Sequence, residues 1–165
     1  MIPRARLPLL LLAGLLAGGA GAAEEQERLD VESDSAEFDQ AAGTATFIGN
    51  VVATRGETRL TGERLHAHQD ASGLEYAELE GDPGTVRHVS PEGERVEGEA
   101  RRIVYRPADG RLDLHGDARV VRGRETFSGD HIRYLLDDDR ITAEGEGPGR
   151  VRTTLFPERE EDERE

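Results

Sequence analysis

Apolar residues recur at every second position along most of this chain, and no stretch after Leu29 sustains the three- and four-residue spacing of a helix. The pattern is clearest from Leu112 to Val120, where Leu, Gly, Ala and Val alternate with Asp, His and Arg. Ile103 with Tyr105 and Ile132 with Tyr134 follow the same rule. Because successive side chains of a strand point to opposite faces, the pattern predicts strands with one buried and one wet face.

Turn-forming residues separate these short apolar stretches at frequent intervals. Many short strands divided by such turns are typical of an all-antiparallel sandwich, barrel or jelly roll. The predicted turns are Ala42-Gly43, Arg55-Gly56, Ser72-Gly73, Asp82-Pro83, Glu92-Gly93, Asp109-Gly110, Arg122-Gly123 and Asp137 to Asp139.

The chain contains an internal repeat. The sequence from Phe47 to Leu65 is similar to that from Leu114 to Ile132. Gly49-Asn50 corresponds to Gly116-Asp117, and a second series of glycine-acid pairs begins at Gly62, Gly98 and Gly129. Glycine inside a strand pattern marks a bend or a bulge. Bends at the same height in stacked units would fold two sheets over one long interior.

The two ends of the chain differ in composition from the middle. Residues 1–22 have two early arginines, a short apolar run and the small residues Ala20-Gly21-Ala22, which predict a cleaved secretory signal peptide. Cleavage after Ala23 is an alternative. Residues 23–157 form the predicted domain, and residues 158–165 are a charged tail that we expect to be disordered.

The net charge and the polar residues argue against several classes of function and point to no particular one. The net charge of −14 disfavours binding to nucleic acid, and the absence of cysteine removes disulfides and thiolate sites. His66 and His68 share one face of a predicted strand, but a third metal ligand is not evident and the face is the wet one. No catalytic or phosphate-binding motif is present. We therefore expect no enzyme activity, no metal and no cofactor.

The apolar face is the remaining candidate site. The chain has only four Phe and three Tyr, and many inward positions are Ala, Gly or Thr, so we expect an interior that small side chains fill incompletely. Val104 has the opposite parity and is predicted to face outward. The inward candidates are Leu29, Val31, Phe47, Val51, Leu65, Val86, Ile103, Tyr105, Leu114, Phe127, Ile132 and Tyr134.

Three segments carry a resemblance to a known family. LDVESDSAEFDQAAGTATFIGNVVATRG, VEGEARRIVY and FSGDHIRYLLDDDRITAEG, in this order behind a signal peptide, resemble the OstA-like domains of the LptA family of lipopolysaccharide transport proteins of Gram-negative bacteria. The resemblance runs from about Leu29 to Leu155. It implies an all-β, V-shaped antiparallel jelly roll that is open at both ends.

The resemblance also implies a function and partners. A periplasmic bridge protein of this kind binds lipopolysaccharide, with the acyl chains against the inward residues, and passes it from the inner membrane towards the outer membrane without catalysis. It implies an LptC-like inner-membrane partner at the strand near Leu29–Ser33 and an LptD-like outer-membrane partner near Val151–Leu155. Head-to-tail assembly of identical copies is a further expectation.

Two alternatives stay open at this stage. One is an anchored, LptC-like component of the same pathway, which would keep its N-terminal apolar segment. The other is a secreted all-β domain with a closed core that binds carbohydrate. Sugars stack on exposed aromatic rings, and the outward positions offer almost none.

Overall fold

The computed structural model describes residues 28–145 and 149–156, and within them it is built almost wholly of β-strands. The predicted signal peptide and acidic tail lie outside the described residues. The strands are β1 (Asp30–Glu32), β2 (Ser35–Asp39), β3 (Thr44–Arg55), β4 (Thr58–Asp70), β5 (Gly73–Val89), β6 (Arg95–Arg106), β7 (Arg111–Arg122), β8 (Glu125–Leu135), β9 (Arg140–Glu144) and β10 (Arg152–Thr154). A single 3₁₀ turn at Pro107–Asp109 joins β6 to β7.

The strands form one antiparallel sheet in which each long strand pairs with the next along the chain. The order is β1-β3-β4-β5-β6-β7-β8-β10, with β2 also on β3 and β9 also on β8. β1 and β2 therefore share one edge, and β9 and β10 share the other. Because the two edges are not paired with each other, the sheet is open, as the predicted all-β jelly roll requires.

Every long strand is interrupted near its middle, and these interruptions divide the sheet into two layers. The register shifts in β3 between Ile48 and Val51, for example, and in β7 between His115 and Ala118. Layer A consists of residues 30–32, 51–55, 58–61, 84–89, 95–99, 118–122, 125–128 and 152–154. Layer B consists of residues 35–39, 44–48, 64–70, 73–80, 102–106, 111–115, 131–135 and 140–144.

Gly49, Gly62, Gly81 and Gly116 lie within these interruptions, which confirms the prediction of bulges there, whereas Gly98 keeps its register with Val86 and Val120. Gly49 and Gly116 have φ values of 84° and 79°, and the residues after them, Asn50 and Asp117, have φ values of 46° and 50°. Two successive left-handed residues insert a bulge that turns the strand. Glycine carries no penalty there, and Asn and Asp tolerate the conformation better than other side chains do.

Seven of the eight predicted turns are turns in the structure, and Asp82-Pro83 is not. This pair lies inside β5, where the register passes from Glu80 opposite Arg102 to Gly84 opposite Ala100. Proline removes one ladder donor, which a strand tolerates at a bulge as well as at its end. The sequence signal for a break was therefore real, but the chain bends at this point instead of reversing.

The hydrophobic core lies between the two layers. Layer A contributes Val51, Leu60 and Val120, and layer B contributes Leu65 and Ile103, to one continuous cluster of buried residues. Opposite layers contact each other directly, since a Cβ built on Gly98 of layer A would lie 2.8 Å from Cδ2 of Leu114 in layer B. The fold is thus a bent sheet that closes over its own apolar face.

Candidate binding groove

All twelve residues predicted to face inward lie on the interior side of the sheet. Eight are buried in the core cluster, namely Val51, Leu65, Val86, Ile103, Tyr105, Leu114, Ile132 and Tyr134. The other four, Leu29, Val31, Phe47 and Phe127, are half-buried and pack against that cluster. The parity of the sequence is thereby confirmed, whereas contact between these side chains and a ligand stays a prediction.

The interior is closed in its middle and open at the end that lies beside β1 and β2. Leu65 and Ile103 have 0% of their surface exposed, so no ligand reaches them in this conformation. The expectation of an incompletely filled interior is therefore wrong for the middle of the fold. Gly98 allows the two layers to approach there, and the small inward residues bring the sheets together instead of leaving space.

The opening at the N-terminal end is a cavity of about 650 Å³. Leu29 and Val31 line it from layer A, and Phe47 and Leu74 line it from layer B. The layer B turns that contain Gln40 and Ser72 border the cavity as well. The lining combines these apolar side chains with polar ones, among them Gln40 and Gln69. Ligand pockets for small apolar molecules have volumes of this order.

Phe38 is part of this cavity and was not predicted from the sequence. It lies in β2 with 66% of its surface exposed, and its ring meets the ring of Phe47 edge-on at 5.7 Å. Phe38 lies two residues after Ala36, which pairs with the inward Phe47, so period-two alternation places Phe38 on the same inward face. An exposed phenyl ring at the rim of an apolar cavity enlarges the surface that an apolar ligand can cover.

Opposite the bends, the turns of the two layers face each other along a line that we call the seam. Layer A contributes residues 55–58, 88–94 and 122–125 to the seam. Layer B contributes residues 105–110 and 134–139. At the first crossing, Nη1 of Arg55 donates a hydrogen bond of 3.0 Å to the hydroxyl of Tyr105. Arg55 also lines the N-terminal cavity and so marks its inner end.

A second group of contacts crosses the seam at Tyr134. Its hydroxyl donates to Oδ1 of Asp139 at 2.9 Å, and Nη1 of Arg122 donates to Oδ2 of the same carboxylate at 3.2 Å. The ring of His88 lies edge-on to the Tyr134 ring at 6.0 Å, and Nδ1 of His88 is 3.0 Å from Oγ1 of the buried Thr58. The two inward tyrosines are thus anchored at the seam by their hydroxyl groups.

Burial and charge shift the pKa values of these seam groups. Burial lowers the pKa of His88 below 6.5, and the carboxylates of Glu57, Asp137 and Asp139 offset only part of this effect. Burial and the hydrogen bond to Asp139 raise the pKa of Tyr134. At neutral pH the seam therefore holds an uncharged imidazole and a protonated phenol beside the ion pairs of Arg122 with Asp139, Glu125 and Glu94.

The outer face of layer B is more densely packed than its polar composition suggests. Val104, predicted to face outward and be exposed, lies outside the core cluster but has only 5% of its surface exposed. Its cross-strand neighbours are Glu78 and Asp113. Period-two parity assigned the face correctly, and the expectation of exposure was wrong because neighbouring long side chains cover the position.

Asp113 is a buried carboxylate on this outer face, with 5% of its surface exposed. Oδ1 accepts hydrogen bonds from Arg133 at 2.9 Å and lies 3.1 Å from Nε2 of His131, and Oδ2 is 2.9 Å from Nε of Arg111. Burial alone would raise the pKa of Asp113, but the hydrogen bonds and the positive charges lower it overall. The buried negative charge of Asp113 is therefore stabilised by its neighbours and has a structural role.

The paired histidines of β4 lie on the outer face as predicted. Nδ1 of His66 is 3.1 Å from Oγ1 of Thr46, and Nδ1 of His68 is 2.7 Å from Oε2 of Glu75. Tyr76, an outward aromatic residue that the sequence analysis did not weigh, stacks on His68 and lies beneath the guanidinium of Arg106. Within residues 28–145 and 149–156, no three His, Asp or Glu side chains are arranged to hold a metal ion.

The two strands predicted to meet partners lie at the two edges of the sheet. β1 falls within the segment Leu29–Ser33, and β10 falls within Val151–Leu155. Among the described residues, each pairs on one side only, β1 with β3 and β10 with β8. Val151, Leu155 and Phe156 are exposed beside β10. In the described part of the chain, no helix has the length and apolar character needed to span a membrane.

A family of known proteins matches most of this chain. It is described as LptA/(LptD N-terminal domain) LPS transport protein, and it matches residues 30–140. The match thus includes both layers, the N-terminal cavity and the seam up to the start of β9.

Individual relatives agree with this family. The lipopolysaccharide export system protein LptA of Escherichia coli K12 is 28% identical over 162 residues, which cover 94% of this chain and 88% of that protein. The lipopolysaccharide export system protein LptH of Pseudomonas aeruginosa is 31% identical over 113 residues, covering 67% and 65%. The crystal structure of LptH, the LptA-homologous periplasmic component of the lipopolysaccharide transport device, superimposes with a TM-score of 0.73 at 28% identity and covers 79% of this chain and 96% of that one.

Proposed function

The chain belongs to the LptA/LptD N-terminal domain family of lipopolysaccharide transport proteins, and from this premise we propose that it is a periplasmic bridge protein. It binds lipopolysaccharide with the acyl chains in its apolar interior. It then passes the lipid from an inner-membrane complex to the outer-membrane assembly site. The relatives that support this role are named as export proteins, which is a transport role, and we propose no catalytic step.

The observation that carries the proposal is the apolar cavity at the N-terminal end, which leads to a continuous apolar core. A methylene group transferred from water into such a site contributes about 0.8 kcal/mol, so an acyl chain of roughly ten methylenes contributes on the order of 8 kcal/mol. This is sufficient to hold a chain that water rejects. Because the interior repeats the same unit, a chain would meet similar side chains at each step.

The two sheet edges support the finer proposal about partners. An exposed edge strand offers unpaired backbone groups to another chain, which is hazardous unless that pairing is used. We assign β1 to an LptC-like inner-membrane partner and β10 to an LptD-like outer-membrane partner. Joining β1 of one copy to β10 of another would extend the layers into a head-to-tail oligomer. The names LptA and LptH among the relatives favour this bridge role over an anchored component.

Site-specific photo-crosslinking tests the proposal. A photoreactive residue is placed at Phe47 in the cavity, at Tyr105 in the interior and at Arg102 on the outer face, in cells that make labelled lipopolysaccharide. Arg102 serves as the outward control because its side chain is 46% exposed. We expect adducts at Phe47 and Tyr105 and none at Arg102. A folded, exported protein that forms no adduct at either interior position would contradict the proposal.

A further inference from the structure

The seam that closes the interior is held by a small set of polar and ring contacts, whereas the core beneath it is apolar. Two groups cross it, the pair Arg55–Tyr105 and the group His88–Tyr134–Asp139–Arg122. The first joins β3 to β6. In the second, the ring contact of His88 with Tyr134 joins β5 to β8, and the ion pair of Arg122 with Asp139 joins the end of β7 to the turn after β8. No covalent link is involved, since the chain contains no cysteine.

These contacts are hydrogen bonds and ring contacts at the boundary with solvent. Arg122 and Asp139 have side chains that are 23% and 17% exposed, and a cavity of about 490 Å³ separates the facing turns beside them. Arg55, Glu57 and His88 line this cavity from layer A, and Leu136 and Asp137 line it from layer B. Water can therefore replace each hydrogen bond when it breaks, which keeps the net cost of opening low.

The position of the first contact relates the seam to the ligand path. Arg55 lines both the N-terminal cavity and the seam cavity, so it lies where the open part of the groove ends and the closed part begins. Beyond it, Ile103 and Ile132 are wholly buried. A chain that enters the N-terminal cavity cannot advance between the layers unless they separate at this point.

We infer that the seam is a releasable clasp that holds the groove closed without lipid and opens as lipid advances. This inference rests on the proposed function, and it concerns how the same groove is controlled. Arg55–Tyr105 is the first latch and the Tyr134 group is the second. The layers turn about the glycine bends at Gly49 and Gly116, where the strand ladders are already interrupted.

The chain offers a matched set of variants for this clasp, because only three tyrosines are present. Tyr105→Phe removes the hydroxyl that accepts a hydrogen bond from Arg55 across the seam. Tyr134→Phe removes the hydroxyl that holds the Asp139 carboxylate where Arg122 reaches it from the other layer, and both variants keep the ring that packs in the core. Tyr76→Phe makes the same chemical change on the outer face, where the ring stacks on His68. Loss of the Tyr105 hydroxyl deletes a hydrogen bond across the seam and should shift the closed-to-open equilibrium by about fivefold. Loss of the Tyr134 hydroxyl should add to this shift by releasing Asp139 from its position facing Arg122.

The test measures the distance across the seam in the full mature chain. Cysteines introduced as Glu92→Cys and Asp138→Cys, in facing turns, carry spin labels for pulsed electron resonance. We expect one short distance without lipid and a longer, broader distribution with excess lipopolysaccharide. The Y105F/Y134F variant should show the broad distribution without lipid, and Y76F should match the parent. Circular dichroism melting confirms that each variant is folded.

Two outcomes separate failure of the clasp from failure of the proposed function. An unchanged distance in protein that holds lipid, with bound lipid measured by co-purification, would overturn the clasp and leave the transport role standing. If the parent binds no lipid, the proposed function fails. The clasp is then judged on the lipid-free proteins alone, and equal distributions in Y105F/Y134F and Y76F would overturn it as well.

Discussion

At the scale of single residues, glycine serves this fold in two physically different ways. Gly49 and Gly116 are needed for their backbone conformation, since their φ values are positive. Gly62 and Gly98 are needed for space, because a Cβ on either would lie within 2.9 Å of a side chain in the core. The two glycine series that the repeat displays therefore have separate causes, although the sequence presents them alike.

Gly98→Ala should lower the free energy of unfolding by about 1–3 kcal/mol, because the added methyl would lie 2.8 Å from Cγ1 of Val86 and from Cδ2 of Leu114. Urea denaturation measures the change. The double variant Gly98→Ala/Val86→Ala should lose less than the sum of its single variants, since removing the Val86 methyls makes room for the new one. Strict additivity would show that the layers do not meet at Gly98.

His88 gives a prediction about pH. Its pKa in the folded protein is lowered below 6.5 by burial, so the unfolded chain binds the proton more readily. Stability should be fully retained above pH 7 and should fall as the pH drops through 6.5 towards the folded pKa. His88→Gln, which can keep a hydrogen bond to Thr58, should remove this part of the pH dependence. Thermal melts of both proteins at pH 7.5 and pH 5.5 provide the comparison, and parallel losses would contradict the assignment.

How much of the structure could be predicted from the sequence also differs from residue to residue. Period-two alternation was sufficient to place Ile103 and Tyr105 inside, because parity depends only on local geometry. The burial of Val104 and the carboxylate of Asp113 depend on which side chains stand opposite them on neighbouring strands. That information lies in the register, and a single strand does not contain it.

At the scale of elements, the long strands share one feature, which is a register shift near the middle of each strand. A strand that bends at its middle contributes to both layers, so one meander builds what would otherwise need two sheets. The prediction of a bend is confirmed at Gly49-Asn50 and Gly116-Asp117 for this reason, but Gly98 stays in register with both neighbouring strands. Asp82-Pro83 was misjudged because proline and glycine signal a break in the ladder, and the ladder breaks both at a turn and at a bulge.

The edge strand β1 gives a prediction at this scale. Successive backbone N–H groups of a strand point to opposite sides, so one of Val31 and Glu32 donates towards β3 and the other towards the open edge. Of the variants Val31→Pro and Glu32→Pro, one should weaken head-to-tail association while keeping the melting temperature. The other should lower the melting temperature as β1 detaches. Sedimentation and thermal melts of both proteins are required, and unchanged association in both would exclude β1 from the joint.

At the scale of the whole molecule, the two ends of the groove are not equivalent. The N-terminal end has a cavity lined by Leu29, Phe38 and Phe47, whereas the C-terminal end presents the exposed side chains of Val151 and Leu155 beside β10. The sequence repeat suggested a uniform trough. It did not show this asymmetry, because the asymmetry depends on how the edge strands pair and on which side chains they leave exposed at each end.

This asymmetry predicts that lipid enters at the N-terminal end. Phe38 and Phe156 are exposed phenylalanines at opposite ends, with 66% and 48% of their surfaces accessible, so the same substitution can be made at both. Covering a phenyl ring contributes about 1.5–3 kcal/mol, so Phe38→Asp should weaken capture of lipopolysaccharide by about tenfold or more. Phe156→Asp, which removes a ring that lies 4.3 Å from the guanidinium of Arg124, should leave capture nearly unchanged. Binding of labelled lipid to each purified variant measures both effects. Because neither ring is buried, both variants should fold, and an equal loss at the two ends would mean that the cavity does not set the direction of entry.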